Sequence, residues 1–130
     1  MLEKLATEII ETIFDTLPVD LTFVDDTDTV RYYSKGDQRI FRRTPAVIGR
    51  KVKDCHPQKS LPKVEQVVSE LKAGRKNVAE FWIDLKGRKI YIRYFAVRDR
   101  TGKYIGTLEV TQDITDLQKI TGEKRLLDME

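Results

Sequence analysis

Three segments with two-residue alternation, Val78 to Leu85, Lys89 to Val97 and Tyr104 to Gln112, are separated only by Lys86-Gly87-Arg88 and Asp99-Arg100-Thr101-Gly102. Each turn contains a glycine, which supplies the positive φ that a tight reversal favours. The last third of the chain is therefore expected to be a three-stranded antiparallel meander. Such a sheet needs a second layer over its apolar face, and the rest of the chain must supply it.

The preceding segments meet that need. Leu2, Leu5, Ile9, Ile13 and Leu17 recur at three- and four-residue steps with acids on the opposite side, which predicts an amphipathic helix from Leu2 to Leu17, ended by Pro18. Such a helix packs either on the outer face of the sheet or against a second subunit. Leu21 to Asp25 and Val30 to Ser34 read as a hairpin around Asp26-Thr27-Asp28. Between Lys35 and His56 alternation is lost, so short helices and loops are expected, with room for only a helical turn or two over Asp37 to Arg42 before Pro45. Ser60 is placed to cap a longer helix, whose apolar stripe Leu61, Val64, Val67, Val68 and Leu71 stops at Gly74. Five antiparallel strands with helices grouped on one face make an α+β fold.

The composition sets bounds on the class. At 130 residues, 40% hydrophobic and 35% charged, the chain has room for one domain and shows no low-complexity tract. No apolar run approaches the ~18 residues of a membrane span, and the polar, acidic start is no signal peptide. The single cysteine cannot form an internal disulfide, which fits a cytoplasmic setting. A net charge of +3 argues nothing about nucleic acid. Arg39, Arg42, Arg43, Arg50, Lys51 and Lys53 do cluster, however, as either a solvated face or a surface for an anionic partner.

Specific residues add a family resemblance to the order of elements. Leu17-Pro18-Val19-Asp20-Leu21-Thr22-Phe23-Val24-Asp25 resembles the start of the first strand of PAS domains. Val47-Ile48-Gly49-Arg50-Lys51-Val52 is similar to the turn in the middle of their helical segment, and Gly106 through Asp113-Ile114-Thr115 resembles their terminal strand and Asp-Ile-Thr exit. The resemblance runs from Ile10 to Leu117. A narrower one, through Cys55-His56-Pro57 and Ala79-Glu80-Phe81-Trp82-Ile83, is to PAS domains that follow a hemerythrin-like domain in bacteria. It implies a five-stranded antiparallel sheet with helices on one face, flanked by an N-terminal helix (1–17) and a C-terminal signalling helix or linker (116–130) around a PAS domain at 18–115.

Candidate binding residues follow from the alternation. It sends Phe81, Ile83 and Leu85 to one face and Trp82 to the other, and sets Ile90, Ile92 and Tyr94 opposite Tyr91, Arg93 and Phe95. A pocket between the sheet and the long helix would draw on Val64, Val68, Phe81, Ile83, Ile92 and Tyr94, and would suit a small apolar ligand. Cys55 and His56 are the remaining candidates for a cofactor site. Zinc needs about four ligands, and no second Cys or His accompanies the pair, so no metal site is expected. Haem needs only one axial ligand, so His56 leaves it open, although His56 falls ahead of the long helix. The other readings of the pair are a loop hydrogen bond with a small buried thiol, or a redox-responsive thiol. A LOV-type flavin is rejected, because Cys55 is out of register with that motif. With no Ser/His/Asp arrangement and no glycine-rich phosphate cradle, no enzyme is expected.

Trp82, Tyr91 and Phe95 on the other sheet face would want a partner, which favours a homodimer. Beyond Thr115, Leu117, Ile120 and Leu127 take coiled-coil-like steps interrupted by Gly122, and Asp113 or Thr115 is placed to cap a tail helix. The expected role is a cytoplasmic sensor or interaction module that relays the state of its core through Asp113-Ile114-Thr115 to an attached or partner signalling domain. The alternative is a homodimerisation domain without ligand. No effector segment is recognisable in the chain, so it reads as part of a larger protein.

Overall fold

The computed structural model describes residues 1–36, 38–52 and 61–128. Helix α1 (Thr7–Thr16) leads into strands β1 (Asp20–Asp25) and β2 (Val30–Tyr33). Helix α2 (Leu61–Lys72) precedes β3 (Val78–Leu85), β4 (Arg88–Arg98) and β5 (Tyr104–Asp113). All pairings are antiparallel and the sheet order is β2-β1-β5-β4-β3. The expected α+β architecture, a five-stranded antiparallel sheet with two helices, is present.

Local chemistry accounts for the turns. Leu85 pairs with Arg88, so β3 and β4 are joined by two residues, and Lys86 and Gly87 both take positive φ (50° and 77°). That geometry matches the right-handed twist of the flanking strands. Between β4 and β5, Asp99 Oδ1 accepts hydrogen bonds from Thr101 N, Thr101 Oγ1 and Lys103 N at 2.8, 2.6 and 3.0 Å. Between β1 and β2, Asp25 Oδ1 likewise accepts from Thr27 N, Thr27 Oγ1 and Thr29 N at 2.9, 2.6 and 3.1 Å. The same Asp-x-Thr device thus shapes both loops.

The register assigns each side chain to a face. On the inner face Asp20, Thr22 and Val24 of β1 oppose Thr111, Glu109 and Thr107 of β5, which oppose Ile92, Tyr94 and Ala96 of β4. Helix α2 lies over β4 and β5. Its Leu71 is fully buried, an anchor worth ~2 kcal/mol of transfer free energy. The helix ends at Gly74 (φ 77°), and Arg98 Nη2 of β4 donates to the Leu71 carbonyl at 2.7 Å, which pins this end to the sheet. Gly49 (φ 85°) turns the chain so that Gly49 N donates to Val30 O at 2.8 Å and Val52 N to Asp28 O at 2.8 Å. This brings Val52 beside β2.

The structure differs from the sequence expectations in three places. The first helix spans Thr7–Thr16 rather than starting at Leu2, where a 3-10 turn (Leu2–Lys4) is followed by extended Leu5 and Ala6. Ala6 is extended (φ −62°, ψ 147°), so the helix begins at Thr7, without a side-chain cap. Gln38 to Arg42 form no helical turn, because Arg39 reaches inward to the carbonyls of the sheet. The exit tail is not a continuous helix: it has single 3-10 turns at Leu117–Lys119 and Leu126–Asp128, with Gly122 at φ 60° between them. Leu117, Ile120, Leu126 and Leu127 are all exposed, so no packing offsets the cost of helix nucleation.

Gly106 on β5 admits no side chain: a Cβ there would lie 2.4 Å from the Val24 carbonyl oxygen and 2.5 Å from the Phe23 ring. Gly106→Ala is expected to lower stability by roughly 1–3 kcal/mol, read as a shift in the urea midpoint with an unchanged slope.

Candidate functional site

Helix α2, the Gly49–Val52 segment and the inner face of β1 and β5 enclose a small cavity of about 20 Å³. Val24, Val30, Val52, Val64 and Val68 form its apolar walls, and Thr22, Arg43, Tyr94, Thr107 and Glu109 its polar ones. The volume suits one water molecule. A second, open cleft of about 480 Å³ lies beside it, between Thr27, Asp28, Lys51 and Val52 on one wall and Val64, Glu65, Val68, Ser69 and Lys72 of α2 on the other. Lys72 Nζ meets Asp28 Oδ1 at 2.8 Å across this cleft. Val52, Val64 and Val68 line both spaces and so form the wall between them.

The inner face of the sheet is polar where an apolar core would be expected. Arg39, only 7% exposed, donates from Nη1 to the Leu21 and Ser34 carbonyls at 2.8 and 2.9 Å, from Nη2 to Thr22 Oγ1 at 2.9 Å, and from Nε to the Phe41 carbonyl at 3.1 Å. Asp20 Oδ2 accepts from Ile40 N at 2.7 Å. Burial pushes the Arg39 guanidinium pKa down, and nearby Asp20 opposes this. These bonds staple the 38–43 segment to β1 and deliver Arg43 to the cavity. Arg43 Nη2 lies 3.6 Å from Glu109 Oε2, and Arg43 Nε is buried without a hydrogen-bond partner. Burial, with a smaller contribution from Glu109, raises the Tyr94 hydroxyl far above its ordinary pKa, so it stays protonated.

Of the residues expected at a ligand site, Val64, Val68 and Tyr94 line the enclosed cavity. Ile92 is buried on the same sheet face farther along, opposite Thr111. Phe81 and Ile83 lie on the edge strand, 39% and 38% exposed, and line neither space. Cys55 and His56 lie outside the described residues. A cavity of about 20 Å³ with a charged pair in its wall is far smaller than the ~300–1,000 Å³ of ligand pockets. Among the described residues no group of His, Cys, Asp and Glu is placed to hold a metal ion. Sequence reading missed Thr22, Arg39, Arg43, Thr107 and Glu109. The available signal was the threonine and glutamate alternation of β5, which is unusual for a buried central strand.

The basic run is not a continuous surface stripe, because Arg39 and Arg43 turn inward; Arg42, Arg50 and Lys51 remain exposed. On the outer sheet face Trp82 is 61% exposed and its ring lies 6.5 Å from that of Tyr91, while the Arg93 guanidinium sits over the Tyr91 and Phe95 rings at 4.8 and 5.4 Å. Helix α1 touches the sheet near its C-terminal end, through the Phe14 and Tyr32 rings at 5.9 Å and a 2.8 Å bond from Lys35 N to Asp15 Oδ1.

At the exit, Arg88 Nε donates to Asp113 Oδ2 at 2.7 Å and Arg88 Nη2 to Asp116 Oδ2 at 3.3 Å. Thr115 N donates to Asp113 Oδ1 at 3.0 Å, and Lys89 N donates to Thr115 Oγ1 at 2.8 Å. Asp113 and Thr115 therefore clamp the exit to the start of β4. Arg88 above all, then Thr115, holds the Asp113 carboxyl down at about 2 from an ordinary 3.8.

The sequence profile of the PAS domain family matches residues 10–115. The chain belongs to the PAS domain family. Among solved structures, this PAS domain is similar to a C-terminal domain from Streptococcus mutans, at 35% identity and a TM-score of 0.84 over 90% of this chain and 91% of that one. A PAS domain from Colwellia psychrerythraea has 18% identity and a TM-score of 0.59, covering 84% and 97%. A sensory box sensor histidine kinase structure from Vibrio cholerae has 11% identity and a TM-score of 0.59, covering 83% and 91%, and these two likenesses show the fold alone. No curated protein matches.

Arg39→Met removes four buried or part-buried hydrogen bonds and is expected to destabilise the fold by on the order of 3 kcal/mol in urea titration. The Asp113 carboxyl should titrate near 2 in carbon-detected NMR and move back toward 3.8 in Arg88→Met. Because the folded pKa is depressed, the contribution of the clamp is complete above the ordinary carboxylate range and is lost as pH falls through about 2.

Proposed function

We propose that this PAS domain is a sensor and interaction module in signal transduction, which binds a small ligand in its core and relays the bound state through Asp113-Ile114-Thr115 to an attached output. One observation carries the reading: the single strand β5 presents Thr107 and Glu109 to the cavity and ends at Asp113, the residue gripped by Arg88. A displacement of β5 by a ligand would strain that grip and redirect the chain that follows. Membership of the PAS family supports a signalling role. No helix among the described residues is long and apolar enough to cross a membrane, and a cytoplasmic setting belongs to the proposal.

A second reading, a homodimerisation domain without ligand, is favoured by two features. The enclosed cavity is close to filled, and α1 leaves Ile9, Ile13 and Leu17 exposed along one stripe. Native mass spectrometry of the purified chain separates the readings, since a retained small mass supports sensing and an empty dimer supports the second. The relay has its own test. Val68→Met, which intrudes on the cavity, should shift amide resonances from Thr115 to Lys119, and Asp113→Ala should abolish that shift. Resonances at the exit that ignore Val68→Met would show that the core and exit are uncoupled.

A further inference from the structure

The wall chemistry of the enclosed cavity restricts what it can accept. Arg43 and Glu109 are the charged groups among its described lining residues, and their charges cancel. Their 3.6 Å separation is long against the ~2.7–2.9 Å of a charge-assisted hydrogen bond, so neither group is saturated by the other. Among the described residues, Arg43 Nε is buried with no acceptor. The hydrogen bond that Glu109 receives among them is a long one of 3.3 Å, from Thr111 Oγ1 to Oε1. The site therefore holds unused donor capacity and unused acceptor capacity side by side, beneath aliphatic walls.

We infer that this PAS domain takes a small zwitterion of the α-amino acid class, its carboxylate on Arg43, its ammonium on Glu109 and an aliphatic side chain against Val64 and Val68. This deepens, and rests on, the reading that the core binds a ligand. A carboxylate alone would satisfy Arg43 but sit beside the Glu109 charge, and an amine alone would face Arg43. Burying like charges side by side, or one charge without a partner, is strongly unfavourable, whereas a molecule carrying both charges pairs each of them.

Space and access are consistent with this. The enclosed volume of about 20 Å³ cannot hold such a molecule, but the adjoining cleft of about 480 Å³ is separated from it only by Val52, Val64 and Val68 among the described residues. Helix α2 is pinned at its C-terminal end by Leu71 and by the Arg98 bond, while Val64 and Val68, nearer its N-terminal end, are only half-buried. Outward movement of these valines joins the two spaces and exposes the charged pair.

The test uses probes with one shared aliphatic tail: L-leucine, 4-methylpentanoate, 3-methylbutylamine and the neutral 4-methylpentanamide, each titrated into the full chain at neutral pH and followed by amide shifts. L-Leucine is expected to shift Val64, Val68 and Glu109 and to bind about tenfold or more tightly than the other three. Glu109→Gln, near-isosteric and checked for an unchanged fold by its amide spectrum, is expected to erase the preference of leucine over 4-methylpentanoate. If 4-methylpentanoate, 3-methylbutylamine or the amide binds as tightly as leucine, zwitterion recognition is overturned and the core survives as a ligand site. If no probe at millimolar concentration perturbs Val64, Val68 or Glu109, both the ligand class and the underlying reading fall.

Discussion

Strand β5 is hydrogen-bonded along both edges, to β1 from Gly106 to Thr111 and to β4 from Tyr104 to Asp113. A strand held on both sides cannot shift without moving its neighbours, and the other features depend on this. Gly106 lets β1 come close enough for the Phe23 ring to cover the backbone. Glu109 is carried into the interior opposite Thr22 and Tyr94. Asp113 arrives beside Arg88, where the chain leaves the sheet.

The polar inner face follows from the same constraint. Buried threonines, Asp20 and Glu109 would be costly in an apolar core, but Arg39 and the 38–43 segment satisfy much of that demand. Arg39 saturates itself on neutral carbonyls and a hydroxyl, and so acts as a structural staple. Arg43 is different: it meets one carboxylate at a long distance and keeps a buried donor unused. Two arginines four residues apart therefore play separate parts, one closing the fold and one left open to chemistry.

The meander was legible residue by residue, because strand alternation and two-residue turn chemistry are local. Val78–Leu85 stands as expected from its alternation, while β4 runs one residue further at each end and β5 one residue further at its C-terminal end. The Asp113-Ile114-Thr115 exit was legible only as the end of β5: Thr115 N bonds back to Asp113, but neither residue caps a tail helix, and the 3-10 turn that follows has Asp116 at its N-cap with no side-chain cap bond. The cavity was only half legible. Val64, Val68 and Tyr94 follow from a helical stripe and an alternating strand, while Arg43 and Glu109 read as surface charges until the fold brings them together. Phe81 and Ile83 share the inner face by register, but β3 is the edge strand, beyond the cover of α2.

Sequence alone determined the five strands, their order and the antiparallel meander, because strand alternation, glycine turns and Asp-x-Thr loops act over a few residues. Tertiary structure decided which charges are inside. Arg39 and Arg43 look like a basic surface run in the chain and become interior donors only because β1 and β5 pair, offering carbonyls and a carboxylate that neither strand presents on its own. It also decided where helices stop. The exit tail has helical spacing, but Gly122 interrupts it and no packing partner among the described residues covers it, so it remains a pair of 3-10 turns.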